Sequence, residues 1–158
     1  LSKRRKYTGG NDELFASIKR SLDPSVLGNP ALESLCSKTP EVVNELKDGE
    51  HPLLYAVKGY VGNIYPIQVL MKTSTGKGVP VITDKDVLHQ AVLYAIKEEY
   101  YAIFKLLLDL GPKDISYLLV KDDKGNTLLH KIINHVELGD ISSYIKLITR
   151  TVPKQRSR

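Results

Sequence analysis

The stretch "DDKGNTLLHKIINH", residues 122–135, decides how the rest of the chain is read. Asp122-Asp123-Lys124-Gly125-Asn126 makes a turn, in which Gly125 allows a positive φ without a Cβ clash. Thr127 follows, a side chain that caps helix starts by accepting from free backbone N–H groups. Thr-Leu-Leu-His then runs straight into apolar residues, the opening of a short helix.

Working outward, the strongest periodic segment is 86–110, DVLHQAVLYAIKEEYYAIFKLLLDL. Val87, Leu88, Ala91, Val92, Ala95 and Ile96 fall on one helical face. A polar break at Lys97-Glu98-Glu99 precedes a second apolar set, Ala102, Ile103, Leu106, Leu107 and Leu110. Gly111-Pro112 ends it, with Gly111 expected to form a left-handed cap. Two short helices joined by a few polar residues predict a helical hairpin. The same unit recurs at 49–72 and 125–150. Aligning His51, Gln90 and Thr127 as equivalent first-helix positions gives spacings of 39 and 37 residues. A period of this size marks a helical repeat array.

Gly125-Asn126-Thr127-Leu128-Leu129-His130 resembles the G-x-T-P-L-H signature of ankyrin repeats. His51-Pro52-Leu53-Leu54-Tyr55-Ala56 is similar to T-P-L-H-x-A, without the Thr and His. Ile103-Phe104-Lys105-Leu106-Leu107-Leu108-Asp109-Leu110-Gly111 resembles the I-V-K-L-L-L-x-x-G second helix of that family. Leu88-His89-Gln90-Ala91 imitates L-H-x-A one helical turn early, so an alternative register starts that helix at Asp86. The spacings exceed the family's usual 33 residues, and residues 73–85 make a long polar connection. About four extra residues around Asp140–Ser143 separate the helices of the last unit. The irregularity resembles regulators of the inhibitor-of-NF-κB type, or ankyrin proteins of intracellular pathogens.

The expected fold is all-α, an ankyrin-like helical repeat stack with three to four divergent repeats. The boundaries are a basic flexible N-terminal tail at 1–11, an ankyrin-repeat domain at 12–150 and a basic C-terminal tail at 151–158. Within the domain, 12–47 is a degraded repeat, followed by repeats at 48–85, 86–124 and 125–150. The resemblance gives His130 a structural part, its ring turning back to bond near Thr127.

Composition bounds the function. The chain has 158 residues and is 42% hydrophobic, enough for a domain with a sizeable core. Cys36 is the one cysteine, which leaves no internal disulfide framework and fits a reducing compartment. No apolar run reaches the roughly 18 residues of a membrane span, and no signal-peptide pattern opens the chain. Starting at Leu1 rather than Met, the sequence is expected to be a segment of a longer protein. The net charge is +5, but residues 1–8 and 150–158 each carry four basic side chains and no acid. Removing those eight charges leaves −3 for residues 9–149. A nucleic-acid-binding face on the folded part is therefore not expected, and such contact would come only through the tails. Lys3-Arg4-Arg5-Lys6 has the composition of a nuclear-import signal.

No catalytic constellation is present. Lys72-Thr73-Ser74-Thr75-Gly76-Lys77-Gly78 has a phosphate-loop flavour but lacks the glycine five positions before Gly-Lys, where Met71 stands. His130, His135 and Glu137 lack metal-ligand spacing, and His89 reads as a partly buried helix residue. The expectation is no enzyme, cofactor or metal. The helix pairs point instead to a protein-binding scaffold acting in the nucleus or cytoplasm, with no membrane association. Its functions would be transcription or signalling regulation, or, alternatively, host-protein targeting by a pathogen effector. By the resemblance, a partner would touch loop tips at Asp48, Glu50, Asp122, Asp123 and Lys124. It would also touch groove positions Tyr55, Lys58, Tyr94, Lys97, Lys131 and Asn134, with Tyr55 and Tyr94 as aromatic anchors.

Overall fold

The computed structural model describes the backbone of residues 2–156 and the side chains of residues 11–151. Among these residues there are eight α-helices and three 3-10 turns, with isolated β-bridges at Lys47–Glu50 and Ser74–Pro80 and no strand. The chain is all-α, as its periodicity predicts. It forms two compact units, Leu1–Ile82 and Thr83–Arg158.

The first unit holds α1 (Ser2–Ser21), α2 (Pro30–Lys38), α3 (Pro52–Lys58) and α4 (Tyr65–Lys72). Leu14, Phe15, Ile18 and Leu22 give α1 a buried face at helical spacing. Asn29 caps α2, its side chain accepting from the N–H groups of Ala31 and Leu32, and Pro30 occupies the first turn, where a missing N–H costs nothing. Leu32 and Cys36, four residues apart, face the core. α1 packs on α2 and α3 on α4, and the pairs stack with α1 against α3 and α2 against α4. Asn63 locks the connections: its amide nitrogen lies 2.7–3.0 Å from the carbonyls of Ser21, Asp23 and Val26, and its oxygen accepts from the Tyr65 N–H at 3.0 Å.

The segment assigned to an N-terminal tail belongs in part to α1, which runs back to Ser2. Asn11 is buried and donates to the Glu45 carbonyl at 2.8 Å, so residue 11 is held by the fold. The side chains of Lys3, Arg4, Arg5 and Lys6 lie outside the described residues, as do those of residues 152–158.

The second unit holds α5 (Lys85–Lys97), α6 (Tyr101–Leu110), α7 (Leu128–His135) and α8 (Ile141–Arg156). Leu88, Ala91, Val92, Ala95 and Ile96 are fully buried on α5, and Ile103, Phe104 and Leu107 on α6. α5 pairs with α6 and α7 with α8, and the pairs again stack first helix on first and second on second. A 3-10 turn, Leu138–Asp140, leads directly into α8 where extra separating residues were expected. α8 also continues past residue 150, so the expected boundary of the C-terminal tail falls inside a helix.

Gly111 corrects another expectation. Its φ is −71°, so it forms no left-handed cap. Glycine is required for space: a Cβ there would lie 2.5 Å from the Leu107 carbonyl oxygen and 2.8 Å from the Tyr117 hydroxyl.

Two measurements check this packing. Leu107→Ala is expected to destabilise the chain by about 2–5 kcal/mol in urea unfolding, as buried leucine truncations do. Gly111→Ala should also destabilise, whereas Gly76→Ala, where a Cβ meets nothing within 4 Å, should stay within about 0.5 kcal/mol of the parent.

Candidate protein-binding surface

The loop tips are built by short polar turns. Lys47 and Glu50 exchange backbone hydrogen bonds of 3.0 and 2.9 Å around Asp48-Gly49, whose φ values are 52° and 80°. Asp-Gly suits a two-residue hairpin because both central residues must take positive φ. Asp48 is exposed, while Glu50 is half-buried and ion-pairs with Lys58 at 3.5 Å. His51 then starts α3. Its Nδ1 accepts from the Leu53 N–H at 3.0 Å, and its Nε2 lies 2.9 Å from the Asn44 side-chain oxygen. A histidine thus does the capping work of the missing threonine, a role that a ring nitrogen near its own backbone can fill.

The turn at 122–126 centres on Asp122. Its carboxylate accepts from the N–H groups of Lys124 and Asn126 at 2.9 and 2.8 Å and from the Lys131 ammonium at 2.8 Å. The Lys131 ammonium and these backbone donors hold the Asp122 carboxyl well below the usual carboxylate range. Gly125, at φ 80°, closes the turn with its N–H on the Asp122 carbonyl. His130 turns its ring back as expected: Nδ1 accepts from the Thr127 N–H at 3.0 Å and lies 3.0 Å from the Thr127 hydroxyl. Turn and helix are tied by one ring.

The first-helix register differs from the His51–Gln90–Thr127 alignment. α5 starts at Lys85, and the Asp84 side chain caps it by accepting from Asp86 and Val87 N–H groups. The helix starts are therefore His51, Asp84 and Thr127, 33 and 43 residues apart. Tyr55 lies four residues after its cap and Tyr94 ten after its own, so they are not equivalent. Both rings are half-buried within their own units, Tyr55 at 5.0 Å from the Phe15 ring and Tyr94 at 6.3 Å from Tyr100.

No protein-family model, curated protein or solved structure matches the chain. The surface must be judged on its own chemistry. Lys58 in the first unit, and Lys97, Asp123, Lys124 and Asn134 in the second, are exposed. Asp122 and Lys131 are occupied with each other, their side chains only 31% and 21% exposed. Two apolar side chains that the sequence pattern did not single out stand out on α7: Leu129 is 45% and Ile133 61% exposed, one turn apart on one flank of the helix. The only sequence signal for them is the apolar stripe of α7, which is wider than its core contact needs.

The remaining candidates are structural. The phosphate-loop-like stretch is a hairpin tip: Thr75 and Gly78 N–H groups bond to the carbonyls of Val79 and Thr75 at 2.9 Å, so neither is free to cradle an anion. His89 is half-buried, its Nδ1 3.0 Å from the Tyr117 carbonyl. A polar cleft of about 380 Å³ lies between α2 and α4, bordered by Glu33, Cys36, Tyr65 and Lys72. The Tyr65 hydroxyl hydrogen-bonds to Glu33 there, and burial pushes the Cys36 thiol up from its ordinary pKa. No helix among the described residues is long and apolar enough to cross a membrane.

His130→Ala is expected to cost about 1 kcal/mol of stability by removing the tie at the helix start. Asp122 has a lowered folded pKa, so its contribution is present above its unfolded pKa, about 3.9, and is lost as pH falls towards the depressed folded value. Asp122→Asn should therefore flatten the acid limb of a stability–pH curve below about pH 4, measured by urea unfolding at each pH.

Proposed function

We propose that the chain is a non-enzymatic protein-interaction module whose helix pairs are ankyrin-like repeats. It holds a protein partner through hairpin tips and exposed first-helix positions, in the manner of a transcription or signalling regulator of the nucleus or cytoplasm. The stacking inside each unit supports this most directly. First helix meets first helix and second meets second, and a tight polar turn, at 47–50 or at 122–126, leads into the first helix of the later pair. Stacks of this kind present tips and first-helix flanks side by side, a surface suited to a folded partner rather than to a small substrate.

The second unit offers the richer surface. Asp123 and Lys124 at the tip, Lys97 at the end of α5 and Asn134 on α7 carry polar specificity, and Ile133 supplies exposed apolar area. Burying an exposed aliphatic chain adds affinity, while rim charges act more on association rate and partner choice. Tyr55 and Tyr94 contribute less than free aromatic anchors would, since each ring already packs within its unit.

The test uses the full chain as bait in cells, then titration of the recovered partner with purified variants. Ile133→Ser combined with Lys97→Ala and Lys124→Ala should weaken the partner by at least about tenfold, on the order of 1.4 kcal/mol. The melting temperature should stay near the parent's, because these side chains face solvent. Equal affinity of parent and variant would remove this surface from the interaction. An affinity that instead falls with a steep log–log dependence on salt, with nucleic acid as ligand, would favour contact through the basic segments.

A further inference from the structure

Leu129 and Ile133 stand two and six residues after Thr127, the residue that starts α7. The same two positions after His51, at the start of α3, hold Leu53 and Val57, both fully buried. On α5 the Leu88-His89-Gln90-Ala91 stretch marks the matching register, and Leu88 and Val92 there are fully buried as well. Only on α7 are these positions open, at 45% and 61% exposure. α5 has α7 packed against it, whereas this flank of α7 is left to solvent. On α8, Ile145 and Ile148 are only half-buried. A repeat stack that meets solvent needs a polar outer flank, and this flank is apolar.

The two ends of α7 carry opposite charge. The tip before it exposes Lys121, Asp123 and Lys124, and Asp122 is neutralised by Lys131, which leaves one positive charge in excess. The turn after it exposes Glu137 and Asp140. Glu99, from the turn between α5 and α6, lies with them, one oxygen of each within 4.8 Å of the others. None of these three carboxylates joins the ion pairs formed among the described residues. Acid beyond a helix C-terminus also opposes the helix dipole, so this end of α7 favours a cationic neighbour.

We propose that α7 pairs with the α7 of a second copy of this chain across a two-fold axis. The two helices run antiparallel, the Leu129–Ile133 stripes meet at the centre, and Lys124 of each copy lies beside Glu137 of the other. A two-fold contact is self-complementary: where one residue meets another, the reverse contact forms as well. Eight residues rise only about 12 Å, so the turns flanking one helix also flank its antiparallel neighbour. Opposite charge at the two ends therefore favours this pairing and opposes a parallel one. A head-to-tail contact lacks a matching surface. The exposed side chains of α1 are Asp12, Glu13, Ala16, Lys19 and Arg20, and other exposed aliphatics such as Leu27, Val61 and Leu119 stand singly in loops. The flank is small, which suits a weak, reversible pair. The inference deepens the reading of the chain as an interaction module, and rests on its helix-pair stack, by naming the partner of one flank.

Sedimentation of the purified full chain, from low-micromolar to near-millimolar concentration, is the test. The parent should pass from one chain to two and stop there. Ile133→Asp should raise the dissociation constant of the pair at least about tenfold, because a charge would be buried without a partner. Lys124→Glu and Glu137→Lys should each weaken it several-fold, since each sets like charges together on both sides of the axis. An equimolar mixture of those two variants should pair as well as the parent, because every swapped charge then faces its opposite. All three should melt near the parent at concentrations where each is a single chain, and Ile133→Ser serves if Ile133→Asp fails to fold. A parent that stays single throughout, or a pair that neither Ile133 variant weakens, would overturn the proposal. Growth beyond two chains, or a mixture that pairs no better than its components, would do the same. A single chain whose complex with a protein recovered from cells is weakened by Ile133→Asp would give the flank to a different partner. The second copy then falls and the wider reading stands. A chain that pairs as described, yet binds only nucleic acid with a steep salt dependence, would leave the pair standing and remove the wider reading.

Discussion

Five of the eight helices among the described residues have ten residues or fewer, too short to stand alone. α3 has seven residues and α7 eight, below the roughly 12–15 at which an isolated helix becomes even marginal in water. Each exists because one face is removed from solvent. Leu53, Ala56 and Val57 on α3, and Ile132 on α7, are fully buried. A single pair of such helices buries too little apolar area to offset the entropy of ordering it. Stacking pair on pair is the remedy, and it goes with short returns inside each pair and with side-chain caps at the starts of α2, α3, α5 and α7.

Those returns carry an unusual share of the specification. Asn63 satisfies carbonyls of the α1–α2 loop, and Asp122 collects backbone donors and an ammonium around one carboxylate. Each side chain replaces partners that regular structure would otherwise supply, which is how a turn escapes the cost of unpaired backbone groups. The three histidines that make described hydrogen bonds here behave alike. His51 and His130 accept backbone N–H groups at helix starts, and His89 bonds to the Tyr117 carbonyl. At least one ring nitrogen of each is thereby committed to the fold.

The apolar period of 86–110 was legible because every buried position of α5 and α6 repeats at helical spacing over a long stretch. The turn at 122–130 was legible for a different reason, since Gly125, Thr127 and His130 each have a local job that survives without neighbours. The α5 register was legible only in part: Leu88-His89-Gln90-Ala91 pointed to a start at Asp86, one residue from the Lys85 start, while the capping residue, Asp84, sits in a polar stretch that looked like loop. Gly111 was read as a φ requirement and is a space requirement, because Tyr117, which demands the space, folds back from six residues later. Tyr55 and Tyr94 were placed on the groove by alignment, yet both are half-buried, with Phe15 and Tyr100 beside their rings. The contact between Glu99 and Glu137 was illegible for the same reason: they are 38 residues apart, and only stacking of the two pairs brings them into register.

Two buried tyrosines show what tight packing between elements leaves behind. Tyr117 and Tyr144 are each 1% exposed, each lacks a partner for its hydroxyl, and each has that hydroxyl pushed up to about 12. For Tyr117 burial is the only cause, and its oxygen presses against the bare Cα of Gly111, where even a methyl group would not fit. No ligand can enter, so that orphan is the cost of a tight joint between α6 and the 3-10 turn Ile115–Leu118. For Tyr144 two carboxylate charges add to burial, and those carboxylates are themselves exposed. Both hydroxyl oxygens are closed to solvent, and the Tyr144 ring packs beside Tyr101 and Phe104 of α6. In both places the unpaired hydroxyl is offset by the apolar area that its ring buries.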